Sequence, residues 1–144
     1  MSSQRNVLWL KIPFSTHNRK LKEQKRPYVC MTNLPDLRLV KCQTARIAHL
    51  NNRNAPPINR VVIHQLNNTP FTGGPPKILD CDKVFEILNV SFIDPILLRT
   101  TPGKPNAVSE QIFNDIKRKI NRPNLIIHNL ALNEVARLNN NHIR

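Results

Sequence analysis

Asp80 and Asp82, one residue apart in the run ILDCD, are the side chains best placed to hold a divalent cation. At the end of an apolar strand such a pair can bind Mg²⁺ for phosphoryl chemistry. The same two acids can instead open a helix, where carboxylates at the cap and in the first turn accept free backbone N–H groups. A metal site would want further acids and a lysine. Asp94, Glu110 and Asp115 are available, but their spacing builds no cluster. The helix-start reading ranks first, and neither a catalytic residue, a cofactor nor a metal is expected.

Other reactive types are scattered. The histidines at 17, 49, 64, 128 and 142 and the cysteines at 30, 42 and 81 form no C-x-x-C or H-x-x-H pair, so a structural zinc would have to gather distant ligands. An odd, irregularly spaced set of cysteines argues against a secreted disulfide scaffold and for reduced thiols. Ser91 and Ser109 lack a nucleophile elbow. The run TTPGK at 100–104 has a Gly-Lys without P-loop spacing, and three glycines cannot supply a dinucleotide fingerprint.

Charge is the stronger signal. Twenty-two Lys and Arg face nine Asp and Glu, a formal net charge of +13. Residues 1–60 hold twelve cations and two acids, residues 61–100 three and four, and residues 101–144 seven and three. Such an excess opposes compaction by self-repulsion and calls for a polyanion. Its densest run is Arg19, Lys20, Lys22, Lys25 and Arg26, a pattern suited to neutralising phosphates and releasing counterions. Arg38, Lys41, Arg46, Arg53 and Arg60 can extend that surface. Lys117, Arg118, Lys119 and Arg122 form a second group, which equally well complements a helix dipole. Asparagines 51, 52, 54 and 59 suit sugar and phosphate contacts, though loop composition explains them as well. Trp9, Phe14, Tyr28 and Phe71 are the aromatics that can stack on bases. They are too few and too dispersed for sequence readout.

These side chains need a scaffold. The length and a 40% hydrophobic share suit one domain with a modest core. Twelve prolines against three glycines suggest extended, stiffened paths. Val7–Ile12, Tyr28–Met31, Leu37–Cys42 and Arg60–Leu66 read as strands. Residues 15–27 read as a basic extended arm, and 51–59 and 67–76 as loops. Beyond them, Lys77–Leu79 reads as a strand, and a helix is expected over 82–89 from Val84, Phe85, Ile87 and Leu88 on one broad side. A strand is expected at Ser91–Ile93 or Pro95–Arg99. Ser109 caps a helix over 109–121, with Ile112, Phe113, Ile116 and Ile120 on one face and Pro123 as its stop. Asn124–His128 reads as a buried strand and Leu130–Leu138 as a last helix. His64 and His128, inside strands, read as core or edge residues.

The resulting expectation is α+β or α/β: one small domain with a mixed sheet and about three helices, preceded by a basic extended N-terminal arm. Residues 1–59 form the basic, Pro- and Asn-rich part with short strands, and 60–144 the small α/β-type domain. No stretch approaches the ~20 apolar residues of a membrane span. The expected function is a non-catalytic RNA-binding structural subunit of a large ribonucleoprotein, a ribosomal protein in the mitochondrial matrix or cytoplasm. Its partners would be rRNA, through backbone phosphates, and neighbouring protein subunits, with no membrane and no small-molecule substrate. The alternative is a virion or nucleocapsid protein inside the particle, contacting genome or neighbouring subunits. A small metal-dependent nucleic-acid enzyme ranks third. The basic first thirty-five residues also have a transit-like bias, but a tail lying on RNA accounts for them better.

Overall fold

The computed structural model describes residues 3–13, 25–44, 59–74, 76–99 and 101–144. Six strands form one sheet: β1 (Val7–Leu10), β2 (Arg26–Cys30), β3 (Leu37–Thr44), β4 (Arg60–Ile63), β5 (Lys77–Ile87) and β6 (Ile126–Leu130). The order β1-β2-β3-β5-β4 is antiparallel throughout, and β6 joins β5 in parallel. β4 takes Lys77–Asp80 and β6 takes Lys83–Ile87, so the two lie end to end along one edge of β5. Two α-helices complete the domain, α1 (Glu110–Ile120) and α2 (Leu132–Leu138), with a short 3-10 helix at Pro95–Leu98. The succession of antiparallel strands before the helices is the α+β arrangement. The boundary expected at residue 59 runs through this sheet, because β3 from before it pairs along the length of β5 from after it.

Alternation along the strands gives the sheet two apolar faces. On one, Val7, Val29, Val40, Cys42, Leu79, Cys81 and Val84 pack against Phe113 and Ile116 of α1 and against Phe71. On the other, Leu8, Leu10, Tyr28, Cys30, Leu37, Leu39, Phe85 and Ile87 pack against Leu97, Val135 and Ile143. Each such side chain taken fully from water contributes about 1.5–3 kcal/mol. α1 forms as its sequence predicts. The Ser109 hydroxyl accepts from the Ile112 amide, and Phe113 and Ile116 are buried.

Four expectations fail here. The helix expected over 82–89 is the second half of β5. Val84 faces one core and Phe85 the other, so two-sided burial imitates a broad helical face. Ser91–Ile93 and Pro95–Arg99 form no strand: Ile93 makes an isolated bridge to Ile143, and Pro95–Leu98 is the 3-10 helix. The α-helices therefore number two rather than about three among the described residues. Lastly, the buried strand expected at Asn124–His128 is an exposed edge strand, with Ile126 56% and Ile127 39% exposed.

Long-range clamps join the two ends of the described chain. Asn139 is 3% exposed. Its amide donates to Lys11 O at 2.7 Å and to Val135 O at 2.8 Å, while its Oδ1 accepts from Lys11 N at 2.9 Å. Asn68, Asn89, Asn140 and Asn141 have positive φ. In a chain with three glycines, asparagine takes over the left-handed turn positions. No helix among the described residues is long and apolar enough to cross a membrane.

Candidate nucleic-acid interface

The pairing register brings expected cations together on the face that carries Tyr28. Residues directly opposite across antiparallel strands share a face. Leu8 lies opposite Tyr28, Tyr28 opposite Lys41, Lys41 opposite Asp80, and Asp80 opposite Arg60. This row runs from apolar at the β1 edge to charged at the β4 edge. Arg26, two residues before Tyr28, is on the same side. Lys83 reaches the same side, its Nζ 6.0 Å from the centroid of the Phe85 ring, which meets Tyr28 edge-on.

Electrostatics confirm the crowding. Lys41 is held below the usual lysine range, first by burial, then by the charges of Arg26 and Lys83; Asp80 offsets only part of this. Four cations from four strands thus converge around one carboxylate of the row. Lys83 was no sequence candidate. Nothing local marks it, because the neighbours that make it part of the group come from β2, β3 and β4.

The second group has a different character. Arg38, from β3, lies beside the end of α1 and lines a cavity of about 420 Å³ with Lys117 and Arg118. Its Nε donates to Glu86 Oε2 at 2.8 Å. Lys117 Nζ stands 5.5 Å from the Phe113 ring centroid, and Arg118 pairs with Asp115. Arg122 donates to Lys119 O and to Asp82 O, both at 3.0 Å. Lys119 is exposed. Of these contacts only that of Arg122 with Asp82 O joins the α1 end to the sheet; the Arg38–Glu86 pair links β3 to β5 and the others stay within the helix and its end.

Arg19, Lys20, Lys22, Arg46 and Arg53, with most of the expected arm, lie outside the described residues; Lys25 is exposed at their border. Tyr28 and Phe71 are 0% and 1% exposed, which removes both as stacking platforms, and Trp9 is half-buried. His64 and His128 are exposed rather than core, and His128 stacks on Phe85 with ring centroids 5.6 Å apart.

Asp80 and Asp82 turn out to shape β5. Asp80 Oδ1 accepts from the Asp82 amide at 3.0 Å, and Asp82 Oδ1 accepts from the Asn59 amide group at 3.3 Å. They mark an irregularity in the β3–β5 ladder, not a helix start. Among the described residues no three His, Cys, Asp or Glu side chains gather as metal ligands. Cys30, Cys42 and Cys81 are free and buried, and burial pushes each thiol up to about 12. Such thiols are poor nucleophiles.

Comparison with protein-family models, with curated proteins and with solved structures gives no match for this chain.

Proposed function

We propose that this protein is a non-catalytic RNA-binding subunit of a large ribonucleoprotein, a ribosomal protein of the mitochondrial matrix or cytoplasm being the form that fits best. The observation that carries the reading is the meeting of Arg26, Lys41, Arg60 and Lys83 on one sheet face, where burial, and then the charges of Arg26 and Lys83, press Lys41 toward its neutral form. A polyanion lying across such a group of cations would relieve their mutual repulsion. The net charge of +13 extends the same argument to the whole chain. The cations meet the backbone, since the aromatics that could read bases are mostly buried. The basic segment 15–27 would supply further cations to the same phosphates. Neighbouring protein subunits would cover other surfaces of the domain.

Ultraviolet crosslinking in the native particle, with the crosslinked peptides mapped, tests this. Crosslinks to RNA through segments 15–60 and 77–84 are expected. A particle that carries this chain without any polynucleotide crosslink to those segments would sink the proposal.

A further inference from the structure

A cavity of about 150 Å³ opens between the ends of β1, β2, β3 and β5, on the side of the sheet that packs α1. Trp9, Thr44, Phe71, Thr72 and Lys77 line it, and Lys25 adds a further cation to its wall. Lys77 is 8% exposed, an unusual place for an ammonium. Its Nζ donates to Thr44 Oγ1 at 2.6 Å, and among the described residues no carboxylate pairs with it. Gly73 backs it at φ +90°, where an added Cβ would sit 3.4 Å from the ammonium. The neighbouring Cys42 thiol stays protonated, so no thiolate balances the charge. Trp9 Nε1 is buried with no hydrogen-bond partner.

Among the described residues, then, one cavity is lined by a buried cation without a counter-charge and a buried donor without an acceptor, both of them costly. Thr44 Oγ1 accepts from Lys77, which leaves its own proton free to donate. Among the described residues the lining is rich in donors and contains no carboxylate, a composition that selects against cations. The space equals about five water volumes, well below the ~300 Å³ at which organic ligand sites begin. Several donors around a small volume suit an oxyanion with oxygens on every side.

We propose that this cavity is a site for a single phosphate group, held by the Lys77 ammonium and the Trp9 indole N–H with Lys25 beside them. The phosphate can be free or one link of a polynucleotide backbone. Arg26, one of the cations behind the RNA reading, also lines this cavity, but the site is argued from Lys77 and Trp9, which that reading does not use.

Trp9 is the single tryptophan, so its emission reports on the cavity directly. Titrating the full chain with inorganic phosphate, at ionic strength matched with chloride, should give a saturable change in that emission. Lys77→Met should weaken binding at least about tenfold, and Lys25→Gln about two- to threefold. Trp9→Phe keeps a ring and removes the donor; binding to it, read by phosphorus NMR line broadening, should fall several-fold. That second variant decides the matter if Lys77→Met does not fold. A single-stranded uridine oligonucleotide that competes for the emission change identifies a backbone phosphate; one that leaves it intact identifies a free phosphate. A flat phosphate titration, a chloride response of equal size, or affinity unchanged in both Lys77→Met and Trp9→Phe would overturn the site. Phosphate binding that survives in a protein with no RNA affinity would show the two proposals to be separate.

Discussion

The two groups of cations in this domain have opposite relations to its stability. At the end of α1, Arg38 has Glu86, Arg118 has Asp115, Lys117 has the Phe113 ring and Arg122 has two carbonyls. Across the sheet, burial first and then the nearby charges of Arg26 and Lys83 lower the affinity of Lys41 for its proton. The first group is charge engaged with near neighbours in α1 and between β3 and β5. The second is like charge gathered at close range on one sheet face. Counting basic residues does not separate the two; finding what each one touches does.

The most severe break in this contrast removes the anchor of α1. Ile116 is 0% exposed, and Ile116→Ala should cost about 2–5 kcal/mol in urea denaturation and loosen the helix-end charges with it. A variant as stable as the parent would show that α1 is not packed as described. Next, changing Arg26, Lys41, Arg60 and Lys83 together to Gln should leave the fold intact. The slope of log affinity for a structured RNA against log salt should flatten by about 3, since each lost phosphate contact removes roughly 0.7–0.9. Equal slopes for parent and variant would place the RNA elsewhere.

A smaller effect is expected from Ser109→Ala, which removes the oxygen that accepts from Ile112 and should cost about 1 kcal/mol. Proton linkage sharpens the comparison further. The thiols of Cys30, Cys42 and Cys81 have folded pKa values raised to about 12 from 9.0, so their contribution is complete below the ordinary thiol range and is lost as pH rises through it. Lys41, lowered in the fold, works the other way, its cost fading as pH rises. The three thiols, joined by the Tyr28 phenol that burial also holds protonated, outweigh the one lysine, so the denaturation midpoint should fall between about pH 8 and pH 10.5. Changing Lys41 to Met should deepen that fall, because it removes the opposing term. Least of all, Arg38→Gln should change stability by about 0.2–1 kcal/mol, since the Arg38–Glu86 pair is partly exposed.

How much of this could be read in the chain depended on how local the cause was. α1 was legible in full, because a cap at Ser109 and apolar residues at 112, 113, 116 and 120 are signals carried within one segment. β1, β3 and β4 were legible for the same reason, as runs of β-branched and alternating residues. β5 was half misread: a strand buried on both faces loses its alternation, and the irregularity between Asp80 and Lys83 blurs it further. The exposure of Ile126 and Ile127 follows from their place at an edge, which composition does not encode. The site was legible as charge and not as geometry. Arg26, Lys41 and Arg60 were candidates, but their meeting depends on register across four strands, and Lys77 and Lys83 gave no signal of their own.

Asn139 ties residue 11 to a helix that begins more than a hundred residues later. During synthesis, therefore, the flank of the first strand stays unclamped until residue 139 has left the ribosome. Until then β3 also waits for β5, with an open edge exposed to the crowded surroundings. A nascent chain of this design has reason to be met early by a chaperone.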